Sequence, residues 1–172
     1  MSMRLFKRVC PCPLNEDHGR AHFGIACLPM TTEEIYNFIQ KHKLGVLATV
    51  SPSSLPEAAV VGIAVTSNLE LVFDTLGESR KCENLRHNPK IAFVIGWDDE
   101  ITLQYEGEAD EPEGNELKLY KHVYFQKWPD GVEREQWPGI TYFRVRPTWM
   151  RYSDFKKNPP QIIEQTFQNK GI

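Results

Sequence analysis

The sequence predicts a mainly β domain, an antiparallel barrel of six short strands with flanking helices. Three observations lead to this prediction: short apolar runs separated by turn-forming residues, side-chain alternation with a period of two within several of those runs, and two helical patterns between them. Six strands at this spacing are typical of a closed barrel rather than a parallel sheet. With 172 residues, 41% of them hydrophobic, the chain is long enough to bury one such core.

The first element predicted is a helix. Thr31 and Glu34 have the spacing of a capping box, which begins the helix, and Gly45 is expected to end it. The strands follow, with Ser67-Asn68 as the turn of a hairpin and Ile91–Trp97 as a central strand buried on both faces. The six predicted strands are Gly45–Val50, Ala58–Thr66, Leu69–Asp74, Ile91–Trp97, Ile101–Glu108 and Thr141–Arg146.

Three further helices are predicted between and after the strands. Ser79 is placed to cap a short helix that ends at Asn88, which precedes a proline. A second helix runs from Glu113 to about Lys127, with Leu117, Tyr120 and Tyr124 on one face. Near the end of the chain, the pair Pro159-Pro160 predicts the start of a last short helix.

The composition excludes some classes of partner and location. A net charge of −3 gives no reason to expect a nucleic acid or an anionic membrane surface as partner. No apolar run approaches the ~20 residues that a membrane helix needs. The start of the chain, MSMRLFKRVCPCP, is basic but lacks the apolar core of a signal peptide. We therefore expect a cytoplasmic protein.

The first thirty residues show no clear periodicity and are predicted to form an irregular extension, before a single domain over residues 31–172. Four residues of the extension have side chains of the kind that bind zinc: Cys10, Cys12, His18 and His22. Their spacing is not one of the usual zinc-finger spacings, so we expect free thiols in a reducing compartment and no metal site.

The stretch from Phe73 to Lys81 has the strongest functional signal. A strand ends there, a glycine-containing turn follows, and Ser79 caps a helix whose first residues are Arg80 and Lys81. Free N–H groups at a helix start favour an anion, and a hydroxyl with two cations adds charge-assisted hydrogen bonds. Spacing alone leaves two interpretations open: an anion site, or a capped surface helix with two solvated cations.

The order of the motifs resembles that of the pyridoxamine 5′-phosphate oxidase-like, FMN-binding split-barrel superfamily. The resemblance extends from about Thr31 to Phe155, and its most specific part is the strand, SRK, helix, NPK, strand succession. The motifs that carry it are GVLATV, PEAAVVGIAV, LELVFDT, SRKCENLRHNPKIAFVIGW and ITLQYEGEA. It implies a split barrel of Greek-key type and a homodimer that holds FMN in a cleft between its subunits.

The resemblance also implies roles for particular residues. The flavin phosphate would be held by Thr75, Ser79, Arg80 and Lys81. The isoalloxazine ring would be lined by the strand that contains Ala59, Val60, Val61 and Gly62. The contacts from the partner subunit would come from Gln104, or from Thr102 beside it, and from Trp149.

Two departures from the oxidase pattern bear on the substrate. The strand facing the flavin opens with an arginine in the oxidase, whereas this chain has Glu57-Ala58-Ala59. The oxidase's C-terminal substrate signature is replaced here by the stretch Arg144–Tyr152. The expected function is therefore an FMN-dependent oxidoreductase acting on a small molecule other than pyridoxamine phosphate.

The alternatives keep the scaffold and change the role or the cofactor: a flavin store without turnover, a haem-binding protein, or a reductase that uses deazaflavin F420. A haem would need an axial ligand such as His87 or His122, and His122 is also the candidate proton donor beside a flavin. Cys82 lies near the helix start, but it shares a face with Leu85, so we expect it to be buried.

Overall fold

The computed structural model of the protein describes residues 29–167. The predicted extension therefore lies almost entirely outside the described residues, and so do the side chains with zinc-ligand chemistry: Cys10, Cys12, His18 and His22. Within residues 29–167, no group of His, Cys, Asp and Glu side chains is arranged to hold a metal ion. Over the same range, no helix is both long and apolar enough to cross a membrane.

Strands outnumber helices in the described part of the chain. The helices are α1 (Thr32–Lys41), α2 (Arg80–His87), α3 (Gly114–Lys127) and α4 (Gly131–Arg134), with a 3₁₀ turn at Asp98–Glu100. The strands are β1 (Leu44–Val50), β2 (Pro56–Gly62), β3 (Ala64–Val65), β4 (Leu71–Leu76), β5 (Lys90–Ile95), β6 (Ile101–Asp110), β7 (Ile140–Asp154) and β8 (Gln161–Thr166).

All strand pairs are antiparallel and form one curled sheet. Its order is β2-β1-β5-β6-β7-β4-β3, with β8 beside β7. The sheet curls until β2 packs against β4, although the two strands are not hydrogen-bonded neighbours. Helix α2 follows directly from β4 and reaches both strands, through Lys81 to Thr75 on β4 and through Asn84 to Glu57 on β2.

The predicted fold class, a mainly β split barrel with flanking helices, is confirmed, but the expected count of six strands is wrong. The predicted strand Ala58–Thr66 is divided in two at Ile63, whose N–H donates to the carbonyl of Lys43 at 2.9 Å instead of joining a ladder. The other additional strand is β8.

The barrel core is apolar and rich in aromatic side chains. Phe73 stacks on Phe143 at a centroid distance of 5.4 Å and meets Phe93 edge-on at 6.1 Å. Tyr105, also fully buried, satisfies its hydroxyl by donating to the carbonyls of Leu69 and Val145. On the side facing α3, a second cluster forms around Tyr120, Tyr124 and Tyr142. The predicted face of that helix is therefore confirmed.

Helix α1 begins as predicted and ends earlier. Thr31 and Glu34 make both bonds of the capping box, but the helix stops at Lys41 because His42 is already extended. Gly45 is not a helix stop, which corrects the prediction. It lies in β1, where a Cβ atom would be only 3.0 Å from the ring of Phe93, so this glycine permits close packing of the sheet.

Strand β5 differs from the prediction of a strand buried on both faces. Ile91 and Ile95 point into the core, whereas Ala92 and Val94 point outward and are exposed in the single chain. The run is apolar throughout because its outer face is also apolar, and no element of residues 29–167 covers that face. An apolar run alone could not distinguish core from an uncovered face.

The predicted C-terminal helix is wrong: residues 161–166 form β8. The strand pairs with the second half of β7, from Trp149 opposite Thr166 to Asp154 opposite Gln161. The local pattern suggested a helix because a proline pair precedes it. The long strand β7 offers a free edge with which β-branched Ile162 and Ile163 can pair, and this non-local pairing determines the outcome.

Candidate functional site

The start of α2 gathers three of the predicted anion-binding side chains. Lys81 Nζ donates to Thr75 Oγ1 at 3.1 Å, and Thr75 Oγ1 lies 3.3 Å from Ser79 Oγ. Ser79 occupies the N-cap position, as predicted, but its hydroxyl makes no bond to the helix backbone. The N–H groups of Arg80 and Lys81 have no acceptor among residues 29–167. The Ser79 hydroxyl donates to Cys82 Sγ at 3.3 Å. Two backbone donors therefore remain available for a ligand.

Arg80 extends over the neighbouring strand. Its side chain is 79% exposed, and its Nε lies 3.3 Å from Glu57 Oε2 on β2. The side chain is therefore free to turn toward a ligand, at the cost of an ion pair whose arginine is largely exposed to water.

A cavity of about 200 Å³ lies between β1, β2 and the start of α2. The residues that line it are Leu47, Thr49, Glu57, Ala58, Ala59, Arg80 and Lys81. Pockets that enclose whole drug-sized ligands measure about 300–1,000 Å³. The cavity in one chain is therefore the size of a ligand's end, such as a phosphate and the atoms next to it.

Three polar residues beside this cavity were not singled out as a group from the sequence. Asn84 is 2% exposed, and its amide nitrogen donates to Thr49 Oγ1 at 2.9 Å and to Glu57 Oε2 at 3.0 Å. One signal was present: Asn84 lies four residues after Arg80, so both occupy one side of α2. Nothing local linked them to Thr49 or Glu57, which come from other elements.

The four residues expected to line a flavin ring point to different places. Ala59 lines the cavity, Val61 is buried in the core, and Val60 points outward with 61% of its surface exposed. Gly62 packs against Trp128, where a Cβ atom would lie 3.0 Å from Cζ2. What these four residues share is their strand. Strand β2 is hydrogen-bonded to β1 on one side only, so the backbone groups along its other edge are open.

Gln104 and Trp149 do not reach the cavity of their own chain. Gln104 points outward from β6, as does Thr102 on the same strand. Trp149 of β7 lies opposite Glu106 of β6. Gln104 lies opposite Val94 and so adjoins an apolar surface that we call the outer face, whereas Glu106 separates Trp149 from Ala92 of that surface. The outer face consists of Val46, Ala48, Ala58, Val60, Ala92 and Val94, which oppose one another across β2, β1 and β5.

The remaining candidates lie elsewhere. His87 is exposed on α2, and His122 is exposed on α3, where its Nε2 lies 3.0 Å from the amide nitrogen of Gln126. Cys82 is fully buried, as predicted, and its thiol donates to the carbonyl of Leu76 at 3.3 Å. Neither histidine is among the residues that line the cavity beside α2.

A larger cavity of about 580 Å³ lies between α1, α3 and the turn that joins β3 to β4. Its polar lining includes Tyr36, Glu70 and Lys127. It contains none of the predicted site residues and lies beside the turn before β4, whereas α2 follows the other end of that strand.

A curled antiparallel sheet with α2 set into its opening defines a split-barrel protein. The chain matches the family model of pyridoxamine 5′-phosphate oxidase over residues 31–154. It belongs to this family. Among curated proteins, none is significantly similar to it in sequence.

Several solved structures share the fold. A haem-binding protein from Mycobacterium smegmatis superposes with a TM-score of 0.68 and 18% identity, over 81% of this chain and 59% of that one. A pyridoxamine 5′-phosphate oxidase-related, FMN-binding protein from Nostoc punctiforme superposes with a TM-score of 0.62 and 13% identity, over 74% of this chain and 82% of that one. The haem storage protein HutZ from Vibrio cholerae superposes with a TM-score of 0.60 and 18% identity, over 67% of this chain and 88% of that one. At these identities the likeness concerns the fold alone.

Proposed function

We propose that the protein is an FMN-binding oxidoreductase that acts as a homodimer on a small molecule. The observation that carries the proposal is the convergence of Thr75, Ser79 and Lys81 at the start of α2, beside a cavity of phosphate size. Arg80 and Lys81 line that cavity. The family of the chain and the FMN-binding relative from Nostoc punctiforme support the choice of cofactor.

The chemistry of these donors suits a phosphate. Lys81 supplies a point charge and Arg80 a planar fork of N–H donors that matches phosphate oxygens. The hydroxyls of Thr75 and Ser79 and the free N–H groups of the first helical turn add donors without added charge. Together these groups would supply donors to the three terminal oxygens of a phosphate group.

The flavin ring would lie outside the cavity, along the open edge of β2. There the backbone around Ala59 could exchange hydrogen bonds with the ring's polar edge. The outer face gives a reason to expect a second subunit, because an uncovered apolar sheet face of this kind is typical of an interface. Gln104 and Trp149 of the partner subunit would then complete the cofactor site.

When bound, FMN would supply the hydride or electron chemistry, and the protein would supply position and electrostatics. Arg80 and Lys81 hold the phosphate and take no part in bond making. The open edge of β2 orients the ring, and the apolar outer faces of two subunits exclude water from it.

A second phosphate, as in pyridoxamine phosphate, has no obvious partner in the stretch that replaces the oxidase signature. Arg144 is buried and bound to Asp110, Glu116 and Tyr120. Arg146 is paired with Asp110 as well. The third arginine, Arg151, lies 3.7 Å from Glu164 Oε1. All three arginines are engaged within the chain, so we propose a substrate without a phosphate group.

Haem is the second candidate cofactor, because two of the structural relatives are a haem-binding and a haem storage protein. The exposed positions of His87 and His122, away from the cavity, favour FMN. F420 also carries a phosphate and would use the same donors. A role in flavin storage would use the same site without turnover.

The test is a titration with FMN and riboflavin, followed by flavin fluorescence. In the double variant R80A/K81A we expect FMN binding to weaken by at least about 100-fold, since each charge-assisted bond contributes about 1.5–3 kcal/mol. Riboflavin, which lacks the phosphate, should bind both proteins equally. The control is K41A/K118A, which removes two exposed lysines outside the cavity. If R80A/K81A binds FMN as tightly as wild type, the phosphate site that we propose at the start of α2 is wrong.

A further inference from the structure

Glu57 places a carboxylate inside the proposed phosphate site. It points inward from β2 with its side chain 20% exposed, and among the described residues that line the cavity it is the acidic one. Its Oε2 lies 3.3 Å from Arg80 Nε. The guanidinium that a phosphate would need is therefore already paired with an anion.

A buried amide holds that carboxylate in place. Asn84 is almost fully buried on α2 and donates to Glu57 Oε2 at 3.0 Å, while the same nitrogen donates to Thr49 Oγ1 at 2.9 Å. Because Asn84 and Thr49 lie on a helix and a strand of the core, the Glu57 side chain is anchored toward the cavity. Swinging it out to water would leave the Asn84 amide with a weaker set of acceptors.

We propose that Glu57 competes with the cofactor phosphate for Arg80 and thereby limits the affinity of the site for phosphate. The identity of the ligand as FMN rests on the proposed function above. Two anions cannot share one guanidinium without mutual repulsion, and the repulsion grows as the phosphate approaches the anchored carboxylate. Glu57 thus sets how strongly the site prefers a phosphorylated flavin over riboflavin.

A purely structural role for Glu57 predicts something different. In that case the carboxylate only ties β2 to α2, through Arg80 and Asn84. Its replacement would then lower the stability of the protein and leave phosphate affinity unchanged or reduced. The two roles therefore predict opposite changes in ligand binding.

The experiment compares wild type with E57Q, which removes the charge but keeps a carbonyl oxygen for Asn84. We expect FMN to bind E57Q about tenfold more tightly, because a close like-charge contact is removed, and riboflavin to bind both equally. The control E83Q removes an exposed carboxylate from the first turn of α2 and should leave the ratio of the two affinities unchanged. A second variant, E57A, must change FMN affinity in the same direction.

Inorganic phosphate separates this inference from the proposed function. Phosphate should raise the melting temperature of E57Q more than that of wild type, whether or not flavin binds. If no variant binds FMN but this difference is observed, the inference holds and the proposed cofactor is wrong. If FMN binds wild type and E57Q equally, or binds E57Q more weakly, Glu57 is not a competitor. If neither FMN nor phosphate binds any variant, both proposals are overturned.

Discussion

Tyr124 and Tyr142 are neighbours between α3 and the sheet, with ring centroids 6.0 Å apart, yet their hydroxyls differ. Tyr124 donates to Asp74 Oδ1 at 2.6 Å. Tyr142 is 3% exposed, and its hydroxyl has no hydrogen-bond partner among residues 29–167. Burial, together with the nearby carboxylates of Asp74 and Glu135, raises the pKa of Tyr142 to about 12.

We predict that Y142F is at least as stable as wild type near neutral pH and that its advantage grows in alkali. Removing an unpartnered buried hydroxyl costs nothing and can gain about 1 kcal/mol. Above about pH 10 the unfolded tyrosine loses its proton, whereas folded Tyr142 keeps its proton up to about pH 12, so wild type loses stability across that window. Urea unfolding at pH 7 and pH 11 measures both effects.

The matched variant is Y124F, which removes a hydroxyl that does have a partner. It should destabilise the protein by about 1–3 kcal/mol at pH 7, because Asp74 loses a donor in a half-buried position. If Y142F is as destabilised as Y124F, the hydroxyl of Tyr142 has a partner and this description of the cluster is wrong.

At the scale of single residues, the sequence predicted the part of the candidate site that is local in the chain and missed the part that is not. Ser79, Arg80 and Lys81 are consecutive, so the motif alone placed them together at the start of α2. Glu57 lies 27 residues from Asn84, and Thr49 lies 35 residues from it. Thr49 and Glu57 face each other across the β1–β2 hairpin. Only the packing of α2 against that hairpin adds Asn84, and no local periodicity encodes this packing.

At the scale of the elements, predictions succeeded where local pattern and final environment agree. The capping box at Thr31, the alternation of β6 and the apolar face of α3 are all seen in the structure. They failed where a partner elsewhere in the sheet decides the outcome. Strand β8 forms because β7 extends beyond its predicted end at Arg146 to Asp154, which gives residues 161–166 an edge to pair with.

Gly107 gives an element-level test in the long β6–β7 pair. The register shifts between Glu106 and Gly107, and a Cβ atom on Gly107 would lie 2.3 Å from the carbonyl oxygen of Arg146. We predict that G107A destabilises the protein by about 3 kcal/mol or more, because backbone must move in both strands. Chemical denaturation measures the loss.

The comparison variant is G77A. There the nearest atom to a Cβ would be the carbonyl oxygen of Gly139 at 3.2 Å, so a shift of a few tenths of an ångström accommodates the methyl group. G77A should therefore lose clearly less stability than G107A. Equal losses would contradict the tight contact that we describe at the bulge.

At the scale of the whole molecule, the outer face is the feature that one chain leaves unexplained. Val60 is 61% exposed and Val94 36%, and Val46 lies between them in the register of β2, β1 and β5. A second copy would cover this face and would bring its Gln104 and Trp149 toward the first subunit's cavity. The proposed dimer and the proposed cofactor site therefore depend on one another.

We predict that V94K is monomeric in sedimentation velocity, whereas wild type is a dimer, and that V94K also loses FMN. A lysine within an apolar interface leaves a buried charge without a partner. The control is L119K, at a leucine on α3 that is 59% exposed and away from the outer face. L119K should remain dimeric. A monomeric wild type, or a V94K variant that is still dimeric, would show that this face is not the interface.

The central claim is that the protein holds FMN by its phosphate, and the most direct test is the absorption spectrum of the freshly purified protein. The chromophore released from it would be identified by mass spectrometry. The account predicts flavin bands and the mass of FMN. A Soret band, or a colourless protein that takes up no added FMN, would contradict it.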